Sequence, residues 1–201
     1  MTIKNHLNVS RETFSKLEAF ADLVRKWNPK INLVSKNSLD DLWQRHILDS
    51  VQVFELAEGE GHWVDLGSGG GFPGIVVAIL NQEAQTFQVT MVESDQRKCA
   101  FLRTAIRELS LTALVKTERI EQLDGLEADI LSARALADLT QLLDFTELHL
   151  NPDGIVLFPK GQNWQSEDSD AKKVWTYALE AIESKTNPAA AILKIKDIAR
   201  V

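Results

Sequence analysis

A single cysteine, Cys99, occurs in 201 residues. No intramolecular disulfide can form, and the composition points to a reducing, cytoplasmic compartment. No apolar run approaches the length of a membrane span. Met1-Thr2-Ile3-Lys4-Asn5-His6 lacks the apolar stretch of a secretory signal. Excess positive charge is missing too. The formal net charge is −7, which argues against a general nucleic-acid coat but not against an RNA enzyme whose basic residues share one face. Four histidines and the lone cysteine are scattered without ligand spacing, so no metal is expected. What remains, 44% hydrophobic, suits one globular unit with a full-sized core, taken here as a monomer.

Glycine, by contrast, is concentrated. Five of the ten glycines fall within Trp63-Val64-Asp65-Leu66-Gly67-Ser68-Gly69-Gly70-Gly71-Phe72-Pro73-Gly74. An apolar run leads in and a helix-like segment from Ile75 to Leu80 follows, which describes a strand, a tight turn and a helix N-terminus with free N–H groups. A dinucleotide fingerprint would need a third glycine where Phe72 stands, and no Gly-Lys-Ser/Thr of a phosphate loop is present. The spacing Asp65, Gly67, Gly69, Gly71 puts an acid ahead of the glycines. That suits a ligand carrying an ammonium and a sulfonium and no phosphate, such as S-adenosylmethionine (SAM). Val89 to Glu93 reads as a second strand ending in an acid able to accept both ribose hydroxyls. The plainer reading is a glycine turn that only packs a helix on a strand.

Along the chain, Ser10 to Trp27 predicts an amphipathic helix capped by Ser10 and stopped by Pro29. Ser38 with Asp41 resembles a capping box opening a second helix, with Leu39, Leu42, Trp43, Ile47 and Val51 on its apolar face. From His62 strands alternate with helices, which implies a parallel sheet covered on both faces. Strands are expected at 62–66, 87–93, 113–117, 128–132 and 155–158, with helices at 73–80, 95–109, 138–149 and 165–173. Asn151-Pro152-Asp153-Gly154 reads as a turn. The Trp175 segment and Ala191 to Ile195 read as an antiparallel hairpin, although the former also fits a helix.

Several blocks occur in order: Trp27-Asn28-Pro29-Lys30-Ile31-Asn32-Leu33, Arg45-His46-Ile47-Leu48-Asp49-Ser50, Asp65 through Gly74, Ser132-Ala133-Arg134-Ala135 and Lys160-Gly161. Together they resemble the RsmG (GidB) family of bacterial small-subunit ribosomal RNA guanine-N7 methyltransferases. The likeness runs from about Leu17 to Gly161. It implies an α/β, Rossmann-like class I SAM-dependent methyltransferase fold. That fold has a seven-stranded, mostly parallel sheet with an antiparallel C-terminal hairpin. A helical cap (1–60) would precede the SAM-binding unit (61–201). The implied cofactor is SAM, and the implied partner is 16S ribosomal RNA or the small ribosomal subunit.

The candidate cofactor residues are Gly67, Ser68, Gly69, Gly71 and Phe72 for the methionine end, with Asp65 orienting its ammonium. Glu93 and Ser94 would serve the ribose. Ile120 and Glu121 would flank adenine, an assignment that rests on the resemblance. Arg134, past a buried strand, is placed by the resemblance beside cofactor and substrate, to hold a phosphate or the guanine O6 edge; the alternative is a surface arginine. Lys160 meets RNA phosphate or is an ordinary loop lysine. Arg45, Arg119, Arg134 and Lys160 are expected to gather as the RNA face. His46 and Asp49 form a pair that either positions the guanine pocket or serves structure alone. Phe72 or Trp164 would stack on an extruded base, with core packing the simpler reading of Phe72.

Guanine N7 has a lone pair and no proton, so its methylation needs alignment and no general base. Consistent with that, no Asn-Pro-Pro-Tyr stretch follows the fourth strand and no Pro-Cys pair offers a nucleophile. Two other readings stand beside this one: a methyltransferase acting on a small molecule or protein, and a non-catalytic ribosome-assembly factor retaining the SAM pocket. A nicotinamide dehydrogenase is disfavoured by Phe72.

Overall fold

The computed structural model describes residues 7–201; the segment Met1–His6, read above for a secretory signal, lies outside them. Helix α1 spans Arg11–Ile31, capped by the Ser10 hydroxyl accepting from the Thr13 amide. The apolar positions Leu17, Phe20, Ala21 and Val24 recur at helical spacing and are fully buried. Pro29 lies inside α1 and does not end it. Its ring removes one backbone donor only, and the helix closes two residues past it. There Asn32, in the left-handed region, donates its N–H to the Asn28 carbonyl, and the Asn28 side chain accepts from the Val34 amide.

The expected capping box at Ser38 is also corrected. Ser35 begins a short helix α2 (Lys36–Leu39), and Ser38 is buried with its hydroxyl donating to the Ser35 carbonyl. The chain then widens into a π-helical turn at Trp43–Leu48 before helix α3, Asp49–Glu55. Such widened turns recur at functional sites, and this one carries Arg45 and His46.

The strands are β1 (Gly61–Leu66), β2 (Phe87–Val92), β3 (Ala113–Lys116), β4 (Ala128–Ala133), β5 (Leu150–Lys160), β6 (Trp175–Glu183) and β7 (Ala191–Arg200). Helices α4 (Gly74–Ala84), α5 (Gln96–Glu108), α6 (Leu139–His149) and α7 (Trp164–Ala171) connect them. The sheet order is β3-β2-β1-β4-β5-β7-β6, with β7 antiparallel to both its neighbours and the rest parallel. The residues read as a turn, Asn151–Gly154, belong to β5. The pairing with β4 skips them, running from Ala128–Leu150 to Ile130–Ile155. The segment is a bulge because both its flanks stay on the sheet.

Alternation along the strands divides the core in two. Trp63, Ile130 and Leu157 face α1, α4 and α5. Val64, Leu131, Val156 and Phe158 face α6 and the hairpin. The cap helices therefore share one apolar cluster with the sheet. Phe20 of α1 meets Phe72 after the glycine turn at 5.1 Å and Phe101 of α5 at 6.3 Å between ring centroids.

Candidate functional site

In a parallel sheet of this kind, ligands bind beyond the carboxyl ends of the strands where the order reverses, here between β1 and β4. The glycine turn after β1 sits there. Gly67 has φ of +63°, a backbone conformation that disfavours any larger residue, and a Cβ there would lie 2.6 Å from Leu136 Cδ1, which would have to move aside. Gly70 is closed from the other side: a Cβ would lie 2.9 Å from the Leu33 carbonyl of the cap. The turn is thus held between the cap and the loop after β4.

Asp65 is fully buried beneath this turn. One carboxylate oxygen accepts from the Gly74 amide at 3.2 Å and the other from the Ser132 hydroxyl at 2.8 Å. Ser132 in turn accepts from the Trp63 indole. Burial pushes the Asp65 pKa up from 3.8 to about 6, against the hydrogen bonds from Ser68, Ser132 and Gly74. Asp65 therefore fastens β1, β4 and the start of α4 together, and it does not line the cavity above. Ser68 is buried and donates to the Asp65 carbonyl.

Glu93, at the end of β2, accepts from the Gly69 amide at 2.9 Å and the Asp95 amide at 2.8 Å. Its carboxylate fixes the glycine turn and, with exposed Ser94, lines a cavity of about 280 Å³. Gly67, Ile120, Glu121, Arg119, Leu136 and Phe145 complete most of that lining. Ile120 and Glu121 lie in a 3₁₀ turn, Ile120–Gln122, whose first carbonyl accepts from buried His149 at 3.0 Å. Gly67, Glu93, Ser94, Ile120 and Glu121 are thus brought together. Gly69, Gly71 and Phe72 instead shape the turn from below. Phe72 is a core residue, 5.0 Å from the His46 ring and 5.4 Å from the Arg134 guanidinium. Cys99 is buried, its thiol donating to the Glu93 carbonyl.

A second, larger cleft of about 800 Å³ lies on the other side of the loop after β4. Arg45, His46 and Asp49 line it from the cap, Arg134 and Lys160 from the sheet, and Ser184, Thr186 and Asn187 from the hairpin. Ala135 and Ala137 line both spaces. Arg134 donates to the Arg45 carbonyl at 3.1 Å and to His46 Nδ1 at 2.6 Å. A guanidinium only donates, so the His46 proton sits on Nε2, which is buried with no partner among the described residues. Burial first, then the Arg134 and Arg45 charges, lower the His46 pKa to about 3. Asp49 accepts from Thr186 and Ser184 of the hairpin, and burial raises its pKa above the ordinary value. Of the four cations expected together, Arg119 lies apart, on the first cavity. Lys160 stands in an ion pair with Glu167 at 2.5 Å. Trp164 opens α7 and packs against the core on that face.

The hairpin residues Ser184, Thr186 and Asn187 carried no motif, and Gln44 and Leu136 were equally silent. Among the described residues no group of three or more His, Cys, Asp or Glu side chains could hold a metal, and no helix is long and apolar enough to cross a membrane.

The smaller cavity fits SAM. Its lining includes the Gly67 backbone, where a Cβ would crowd Leu136, together with Glu93, Ile120, Phe145 and further polar groups. A seven-stranded sheet with β7 inserted antiparallel and such a cavity at the switch point defines a class I SAM-dependent methyltransferase. Solved structures agree on the fold. A mutant of MtNAS in complex with S-adenosylmethionine superposes with a TM-score of 0.60 at 16% identity, covering 92% of this chain and 75% of that one. TYW2 of M. jannaschii in complex with AdoMet gives 0.59 at 14% identity, covering 86% and 80%.

The GidB family, described as rRNA small subunit methyltransferase G, matches residues 13–191, and the chain belongs to it. "Ribosomal RNA small subunit methyltransferase G" of Ruegeria pomeroyi is 60% identical over 198 residues, covering 98% of this chain and 97% of the relative.

Proposed function

We propose that the protein transfers a methyl group from SAM to N7 of a guanine in 16S ribosomal RNA. What favours N7 is that the histidine of the larger cleft is not available as a base, while its nearest carboxylate, Asp49, is held by Thr186 and Ser184 and is suited to charge handling. His46 is the natural candidate, but its Nδ1 is engaged by Arg134 and its pKa is lowered to about 3. Asp65, with its pKa of about 6, is sealed beneath the glycine turn. An exocyclic amine or a hydroxyl would have to lose a proton in the cleft; N7 has none to lose.

SAM supplies an electrophilic methyl on a sulfonium; the N7 lone pair forms the new C–N bond as the C–S pair returns to sulfur, and no proton moves. The protein's part is alignment and charge handling. Arg134, anchored at two donors, has others free to meet O6 beside N7 while leaving the N7 lone pair bare. The positive charge gained by the purine faces Asp49 on the same cleft. Exposed Arg45 at the rim suits the RNA phosphates, and a cleft of this size suits a base turned out of its strand. Ribosomal context supplies much of the selectivity in this reading, so a minimal RNA hairpin should be a poor substrate.

Radiolabelled transfer from SAM to small subunits lacking the modification, followed by borohydride–aniline cleavage, tests the reading. Cleavage at one guanine is expected. Labelled RNA without cleavage would move the methyl to another atom, and SAM binding without any transfer would favour an assembly factor.

A further inference from the structure

Lys160 ends β5 on the edge where RNA is expected, yet its side chain is only 8% exposed. Its ammonium meets the Glu167 carboxylate at 2.5 Å and donates to the Ala137 carbonyl at 2.9 Å. The same Glu167 oxygen accepts from the amide of Leu139, the first residue of α6. Two long side chains, one at the end of β5 and one from α7, therefore hold one short segment, 134–139. At its start Arg134 is tied to the cap. Between the two anchors Ala135 has φ of +53°, where a side chain is disfavoured, and Leu136 rests on Gly67 in the cofactor cavity. This segment is the partition between cavity and cleft, since Ala135 and Ala137 face both.

A lysine held this way is poorly placed to reach phosphate. Moving it outward would leave a half-buried carboxylate and a backbone carbonyl without their donor. We propose that Lys160 is a positioning residue: with Glu167 it fixes the 134–139 partition, and so sets how tightly SAM is held. This rests on the cofactor reading of the smaller cavity and is independent of which RNA atom is methylated.

The test uses the full chain. SAM affinity is measured by calorimetry without RNA, well below the unfolding midpoint. Binding to small subunits is measured as a function of salt. Lys160→Gln and Glu167→Gln are each expected to weaken SAM about tenfold. The double variant should be little worse than the worse single, because the two residues act as one unit. Lys160→Arg should restore most of the affinity, and the salt slope of subunit binding should stay unchanged. Glu167→Gln keeps the test alive should Lys160→Gln fail to fold.

A phosphate contact predicts the opposite pattern. Lys160→Gln would leave SAM affinity intact and reduce the salt slope by about one, and Glu167→Gln would tighten RNA binding. That pattern overturns the proposal, as does a lowered midpoint with SAM affinity intact. A wild-type protein that binds SAM yet methylates no guanine N7 would sink the functional reading and leave this test standing.

Discussion

Arg134 at the end of β4 donates to His46 Nδ1 of the cap at 2.6 Å, so one guanidinium joins the two halves of the cleft. Its other arm holds the Arg45 carbonyl. Lysine keeps the charge but offers a single compact head that cannot span both acceptors. Arg134→Lys is therefore expected to slow methyl transfer about a hundredfold through misplacement of cap and loop. Single-turnover transfer at saturating SAM measures this; a rate near wild type would show that charge alone suffices.

With its pKa lowered to about 3, His46 stays neutral through the working range. The pH–rate profile should be level between about pH 6 and 8, with no inflection at the ordinary histidine value. The sign for stability follows. The folded state disfavours the imidazolium, so this contribution is present above 6.5 and is lost as pH falls towards 3. Acid titration of His46→Gln should accordingly show a shallower loss than wild type over that window.

Asp65 runs the other way. Its folded pKa of about 6 lies above the ordinary 3.8, so the fold prefers the protonated acid. The benefit is full below 3.8 and is lost as pH rises through 6, by about 3 kcal/mol for a shift of roughly two units. Asp65→Asn should remove this slope. Urea unfolding of both proteins at about pH 4 and pH 7 tests it, and parallel slopes would show that the carboxyl titrates normally.

Gly70 tests the contact between turn and cap. A methyl there meets the Leu33 carbonyl at 2.9 Å and Leu33 Cβ at 3.2 Å, so Gly70→Ala should cost about 1–3 kcal/mol and weaken SAM binding. Gly161 has open space around it, and Gly161→Ala should be nearly silent in the same chemical unfolding and calorimetry.

Much of the fold was legible because its signals are local. The glycine turn, the acid at the end of β2 and the strand–helix alternation each lie within one window of sequence, and the hairpin shows as two apolar runs about a turn. What misled was also local. Pro29 reads as a stop, but a helix survives the loss of one donor in its last turns. Asn151–Gly154 reads as a turn, but both flanks remain paired. Ser38 reads as a cap, but Ser35 begins the turn. The π-helical turn that presents His46 has no sequence signature here. The cleft was half visible, since Arg45, His46, Asp49 and Arg134 stand in recognisable blocks. The hairpin wall was not, because Ser184 and Thr186 are ordinary loop residues until Asp49, more than a hundred positions earlier, meets them. Lys160 shows the remaining limit: its residue type suggests phosphate, and only its neighbours reveal an internal pair.

The hairpin's place against the cap has a consequence for the order in which the enzyme comes into being. The residues around the small cavity, from Gly67 to Phe145, leave the translating ribosome well before Ser184 and Thr186. A growing chain holds the residues of the smaller cavity while the larger cleft still lacks its hairpin wall. On the proposed reading, a chain cut short before the hairpin would lack one wall of the cleft that receives RNA, because Ser184 and Thr186 reach Asp49 only once β6 and β7 are in place.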